Sequence, residues 1–198
     1  MSRTVIFTFS LITTPLPWPG DAWHPDDPNL NFGTCRAGWD RFGETGPMKI
    51  YLAGPLFNAG ERGFLSEIAA RLRALDFEVF VPHEQFVELE GLDPKGVYAT
   101  DLEGVRAANA VLAWLDGTQV DDGTATEIGI FTQLCATDPS RYKGIVGICT
   151  DLRMVRRRGV APGDGINLFV AGAIQSVGEI TWSVDDAISA MVRLRDRG

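Results

Sequence analysis

The residues with the most chemical potential in this chain stand together in Asp116-Gly-Thr-Gln-Val-Asp121-Asp122-Gly-Thr-Ala-Thr-Glu127-Ile-Gly129. Four acidic side chains and two flexible glycines, Gly117 and Gly123, fill the space between an apolar run and the next helical pattern. A solvated acidic loop with a threonine cap is the plainest account of that composition. Two features go further. Glu127 is expected in the first turn of a helix starting near Thr124, where the positive end of the helix dipole favours an ionised carboxylate. Gly129 costs that helix about 1 kcal/mol relative to alanine, which is easier to explain if something approaches the backbone closely there.

An ionised and oriented carboxylate is what a nucleophile in glycosyl transfer must be. A purine or pyrimidine leaving from a sugar needs a proton as well, because the base anion is a poor leaving group. Carboxyl groups in different environments divide these two roles in glycosidases. Asp121 and Asp122 lie on the glycine-rich approach to Glu127. Asp101 is expected to open the helix before, where a cap or first-turn acid following Thr100 is its simplest role.

The elements that must position these groups alternate from residue 48 onward. Strands are expected at Lys49–Ala53, Glu78–Val81, Ala110–Leu115, Gly144–Cys149 and Glu179–Trp182. Helical spacing of apolar residues marks Arg62–Leu75, Val97–Ala108, Thr124–Leu134 and Ser183–Arg195, the last with a Ser183-x-x-Asp186 capping signal. Such alternation implies an α/β fold, a single doubly wound (flavodoxin/Rossmann-like) parallel sheet with helices on both faces. Ligands of such sheets bind beyond the carboxyl ends of the strands. Gly54–Asn58, Pro82–Phe86 and Asp116–Thr126 are therefore the segments expected to build a site.

Five stretches, in this order, carry a resemblance: Tyr51-Leu-Ala-Gly-Pro-Leu-Phe57, Asp101-Leu-x-x-Val105, Val111-Leu-Ala-x-Leu-Asp116-Gly, Asp121-x-Gly-Thr-x-x-Glu127-Ile-Gly129, and Asn167-Leu. From Met48 to about Ala173 the chain resembles the nucleoside 2-deoxyribosyltransferase family, most specifically in the Asp121–Gly129 element. The resemblance implies that Glu127 attacks C1′ of a 2′-deoxynucleoside, releasing the base and leaving a deoxyribosyl ester that a second base, or more slowly water, then takes up. It implies that Tyr51 holds the Glu127 carboxylate and that Asp101 and Asp121 contact the base, one of them passing it a proton. Gln85 would read the base edge, Gly54 and Gly123 would border the substrate, and Asn167 would reach into a neighbouring subunit's site near the 5′-hydroxyl. Deoxynucleoside and free nucleobase are the implied partners, in a homodimer or higher homo-oligomer, with no cofactor and no metal. Asn109 stands where the family often has Asp, and no catalytic role is assigned to it.

Each residue taken alone has a simpler reading. Tyr51 could be a half-buried core tyrosine, Asn167 a turn residue, His83 a structural histidine, and Arg153–Arg158 a solvated loop. Their joint occurrence at strand ends favours the site. Two other functions compete. A hydrolase of 2′-deoxynucleoside 5′-monophosphates would share the Glu nucleophile, but phosphate wants Arg, Ser and backbone amides at the first loop. That loop offers Pro55, Leu56 and Phe57, with Arg62 beyond. A non-catalytic nucleotide-sensing domain would not need Glu127, Tyr51 and Asp101 together. A dinucleotide-binding oxidoreductase is disfavoured because no G-x-G-x-x-G follows the first strand.

The bulk composition fits this picture. At 198 residues, 45% hydrophobic and 22% charged, the chain suits one domain with a full core. A net charge of −8 argues against wrapping nucleic acid. Cys35, Cys135 and Cys149 show no CxxC spacing and suggest a reducing compartment, and two histidines make a His-based metal site unpromising. No apolar run approaches the ~18 residues of a membrane span. Val5–Ile12 follows one Arg but is interrupted by Thr8 and Ser10 and lacks a small-x-small cleavage site, so a cytoplasmic location is expected. Residues 1–47 hold six of the eleven prolines and three of the five tryptophans. They read as an irregular Pro/Trp-rich extension before a catalytic domain at 48–198, and Met48 is the preferred natural start over an arm packed by its tryptophans.

Overall fold

The structure is a computed structural model that describes residues 46–85, 93–152 and 165–197. The expected 1–47 extension up to residue 45, Phe86 and the Arg153–Arg158 run lie outside the described residues. The elements run β1 (Lys49–Ala53), α1 (Ala59–Arg73), β2 (Glu78–Phe80), α2 (Pro94–Ala107), β3 (Ala110–Trp114), α3 (Asp122–Thr137), β4 (Gly144–Ile148), α4 (Leu168–Val177), β5 (Glu179–Thr181) and α5 (Val184–Asp196). A short 3-10 turn, Pro82–Glu84, follows β2.

The five strands form one parallel sheet in the order β2-β1-β3-β4-β5, the doubly wound arrangement expected from the sequence. Strand periodicity sorts the core onto two faces. Ile50, Leu52, Ala110, Leu112, Val146 and Ile148 point to the face covered by Leu65, Ile68 and Leu72 of α1 and by Ala187, Ile188 and Met191 of α5. Tyr51, Ala53, Phe80, Val111, Ala113 and Ile145 point to the other face, under Val105 of α2, Ile128 and Phe131 of α3, and Ile174 of α4. Each large aliphatic side chain buried this way contributes about 1.5–3 kcal/mol. The chain leaves β1 outward to β2 and then returns past β1 to β3. Reversal of this kind opens a crevice at the carboxyl ends of the two strands it separates, here β1 and β3.

Three helices, α1, α2 and α3, start further upstream than apolar spacing indicates because polar caps set them, whereas α5 starts at Val184, one residue after the expected Ser183, which caps it. Asn58 and Glu61 form a capping box at α1, each accepting a backbone N–H of the other's turn. Asp93 caps α2 ahead of Pro94 at the first helical position. Asp121 caps α3 through Thr124 N. Two expectations about chemistry change with these boundaries. Glu127 lies in the second turn of α3, not the first, and there the dipole has largely faded. Asp101 lies two turns into α2, too far from the start to cap it. The apolar run Leu168–Ala171 is the first turn of α4, a helix that the sequence reading did not assign.

Candidate active site

Tyr51 is the central residue of β1 and is fully buried, its ring stacked on Phe80 of the neighbouring strand at 5.3 Å between centroids. Gly104 makes room behind that stack, since a Cβ there would come within 2.7 Å of the Phe80 ring. The ring is thus clamped, and only its hydroxyl has a choice of partner. Tyr51 Oη donates to Glu127 Oε1 at 2.5 Å, joining β1 to α3 across 76 residues. A phenol is a strong donor to a carboxylate. Burial, and then the nearby Glu127 charge, push the Tyr51 pKa far upward, so it remains a donor.

Electrostatics at Glu127 differ from the expectation of a plainly ionised carboxylate. Desolvation raises its pKa from 4.5 to about 8, opposed by the Tyr51 hydrogen bond and reinforced by the charges of Asp101 and Asp121. Asp101 is raised from 3.8 to about 6 by desolvation. Its Oδ1 is buried and has no hydrogen-bond partner among the described residues. A buried carboxyl oxygen without a partner costs about 1–3 kcal/mol, and a bound ligand that offers a hydrogen bond would recover it. Between pH about 6 and about 8 the two carboxyls therefore hold one proton between them.

Both groups line one cleft of about 370 Å³ between α2 and α3, within the ~300–1,000 Å³ range of small-molecule sites. Tyr98, Asp101, Leu102 and Val105 come from α2; Asp122, Gly123, Thr126, Glu127 and Ile130 come from α3. Tyr98 was missed in the sequence, although its spacing of three residues from Asp101 and four from Leu102 places it on their helix face. The lining contains no Lys, Arg or His among the described residues. Among those residues, too, no group of His, Cys, Asp or Glu is placed to hold a metal ion, and no helix is long and apolar enough to cross a membrane.

The remaining candidates fall in varied places. Asp121 spends Oδ2 on the Thr124 N–H and hydroxyl at 2.9 and 3.1 Å, so the structure gives it a capping task. Gly123 lines the cleft, and a Cβ there would crowd Asp121 Oδ2 at 3.2 Å. Gly54 is buried where a Cβ would meet Leu65 at 3.0 Å and Trp114 at 3.2 Å, which explains glycine by packing. Gln85 donates Nε2 to Val81 O after β2. Asn167 is exposed and caps α4, accepting from Phe169 N and Val170 N. At Gly129 a Cβ would meet nothing within 4 Å among the described residues, so packing there does not call for glycine. Asn109 joins β1 to the β4 approach by accepting from Lys49 N and donating to Arg141 O. His83 contacts Ser66 at 3.2 Å, and burial lowers its pKa.

Comparison with known proteins follows the same lines. A conserved protein from Enterococcus faecalis V583 superposes with a TM-score of 0.62 at 24% identity, covering 77% of this chain and all of that one. The 2-deoxyribosyltransferase of the psychrotolerant Bacillus psychrosaccharolyticus gives 0.53 at 25% identity, over 74% of this chain and 95% of that one. A 2-desoxiribosyltransferase from Leishmania mexicana gives 0.53 at 22% identity, over 74% and 98%. No curated protein sequence matches the chain. The sequence model of the family described as nucleoside 2-deoxyribosyltransferase matches residues 50–174, from β1 into α4 and across every residue of the cleft. Spanning more than half of the chain, that match shows that the protein belongs to the nucleoside 2-deoxyribosyltransferase family.

Proposed function

We propose that this protein cleaves the N-glycosidic bond of 2′-deoxynucleosides through a covalent deoxyribosyl-Glu127 intermediate and transfers the sugar to another base. The observation that carries this reading is the pairing, in one cleft, of a carboxylate held by Tyr51 with a second carboxyl whose oxygen has no partner among the described residues. In the first half-reaction a Glu127 oxygen attacks C1′ as the C1′–N bond breaks, and the bond electrons go to the base nitrogen. With the Glu127 pKa above that of Asp101, the proton of the pair rests on Glu127; it first passes to Asp101, which frees the carboxylate to attack, and Asp101 then delivers it to the departing base. In the second, a nitrogen of the incoming base attacks C1′, the ester bond breaks back to the Glu127 carboxylate, and Asp101 takes the proton the new base sheds. Tyr51 stabilises the Glu127 charge at both ends of the cycle. Asp121 supports this from behind, by fixing the first turn of α3.

Hydrolysis of 5′-monophosphates is the nearest alternative, and the first loop speaks against it. The N–H groups of Phe57 and Asn58 already donate to Glu61 Oε2, and Arg62 donates to Leu56 O at 2.8 Å. A phosphate would also meet Asp101, Asp122 and Glu127, with no cation in the cleft lining among the described residues. A nucleotide-sensing domain without catalysis would have no use for the Tyr51–Glu127 bond. The test is incubation with a deoxynucleoside plus a different free base, and in parallel with a deoxynucleoside monophosphate. Exchanged nucleoside is expected in the first. Base release from the monophosphate alone would replace this reading with the hydrolase.

A further inference from the structure

Among the described residues, the cleft lining contains one aromatic ring for which the bond-breaking steps have no use. Tyr98 lines it from α2 and is 53% exposed, and among the described residues its ring pairs with no other aromatic. Tyr98, Leu102 and Val105 stand at i, i+4 and i+7, so they share one stripe of the helix, and all three line the cleft. Exposure falls along the stripe, from exposed Tyr98 through half-buried Leu102 to fully buried Val105. Helical side chains lean towards the N-terminus of their helix, which puts the Tyr98 ring at the outer part of the cleft, one turn from Asp101. Facing these residues across the cleft are Thr126, Glu127 and Ile130 of α3.

We infer that Tyr98 is the stacking platform for the nucleobase, a proposal that rests on the nucleoside-exchange reading of this cleft. Two points constrain the base: the sugar C1′ bonded to its glycosidic nitrogen must meet Glu127, and another of its ring nitrogens must meet Asp101. A flat ring held at those two points lies across the gap between α2 and α3, with the outer α2 wall against its face. Tyr98 is the aromatic residue of that wall. Every base has a π-face, so stacking gives affinity without selecting among bases. An exchange enzyme needs that property, because the departing and the incoming base use the same pocket in turn. Base identity is then left to hydrogen bonds, of which the unpartnered Asp101 oxygen is one.

The test compares wild type with Tyr98→Ala, Tyr98→Phe and Tyr98→Leu, in two measurements. One is steady-state exchange between a deoxynucleoside and free adenine. The other is calorimetric binding of adenine alone and of cytosine alone, which requires no chemistry. Tyr98→Ala is expected to weaken binding of both bases about tenfold and to raise KM for donor and acceptor similarly, with a much smaller change in kcat. Phe should restore binding and Leu should restore it only in part, because Leu supplies apolar bulk without a π-face. Base binding by Tyr98→Ala equal to wild type, or Leu equal to Phe, overturns the proposal. If Tyr98→Ala fails to fold, the Leu–Phe comparison still decides. Wild-type exchange with Tyr98-independent base binding would remove the stacking role and leave the exchange reading standing. Tyr98-dependent base binding without exchange would do the reverse, and an absence of both base binding and exchange would remove both.

Discussion

Tyr51 and Glu127 are 76 positions apart in the chain and 2.5 Å apart in space, the phenol of the first strand donating to the carboxylate of the third long helix. The pairing follows from topology. Odd positions of β1 face α2, α3 and α4, and α3 passes the end of β3, the strand beside β1. Tyr51 therefore meets whichever residue α3 presents one and a half turns from its cap. That residue is Glu127, flanked on the same stripe by Thr126 and Ile130.

The first prediction concerns pH. One proton on the acidic pair is what the proposed exchange requires, and the pair holds one between pH about 6 and about 8. Exchange should follow a bell: falling below about 6 as both carboxyls protonate, and above about 8 as both ionise. The two limbs belong to the pair and not to either residue. Asp101→Asn should cost about 10²–10⁴-fold in rate and convert the bell into a curve that only rises with pH. Measurement of kcat/KM against pH for both proteins checks this, and a bell retained in Asp101→Asn would assign the acid elsewhere.

Stability should respond to the same burial. The folded pKa of Glu127, about 8, lies above its ordinary 4.5. The folded state therefore binds the proton more tightly than the unfolded chain, and stability is lost as pH rises from about 4.5 through about 8. Glu127→Gln keeps the shape and cannot ionise. Its melting temperature should match wild type near pH 4 and exceed it increasingly towards pH 9. A constant difference across that range would mean that the carboxyl is well solvated in the folded protein.

Most of the sheet was legible in the sequence because parallel strands are short, apolar and bounded by turns; β1 at Lys49–Ala53 has the expected limits and the other four end one residue earlier. Helix starts were less legible, since Asn58, Asp93 and Asp121 set them by hydrogen bonds that hydrophobic spacing does not register. α4 escaped because Leu168–Ala171 is an unbroken apolar run, and a run of that length has no distinguishable period. At the site, residue types and order pointed to Glu127, Tyr51 and Asp101. The environment of each required the fold: that Asp101 sits inside α2 with an unpartnered oxygen, that Glu127 is raised by burial, and that Asp121 is occupied as a cap. Tyr98 lay in plain sequence, one turn before Asp101, but nothing local separates a cleft tyrosine from a surface one.

The proposed division of the chain gives a third prediction. The family match begins at residue 50 and β1 at Lys49. If the core from β1 onward folds without it, removal of residues 1–47 should leave a soluble protein with kcat/KM for exchange within about threefold of the full chain. Aggregation or loss of exchange on truncation would make that stretch part of the working structure.

A fourth prediction addresses assembly. Asn167 caps α4 at an exposed position, beside Leu168 and Phe169, which are 67% and 87% exposed. Adjacent apolar side chains left in water favour burial against a second subunit, which would carry Asn167 towards the partner's cleft. Glu127→Ala and Asn167→Ala proteins, each weakly active alone, should regain activity on mixing, up to about a quarter of wild type for random exchange in a two-fold dimer. Proven subunit exchange without recovery, or an active monomer by light scattering, would contradict composite sites.

The central claim is that Glu127 becomes covalently bonded to the sugar, and intact-protein and peptide mass spectrometry after incubation with a deoxynucleoside and no acceptor base tests it most directly. A covalent mechanism predicts a deoxyribosyl adduct on the peptide containing Glu127, discharged when a free base is added. It also predicts that Glu127→Ala forms no adduct and loses exchange on the order of 10⁴-fold or more while remaining folded. Exchange at near wild-type rate by a folded Glu127→Ala protein, or an adduct on another residue, would contradict it.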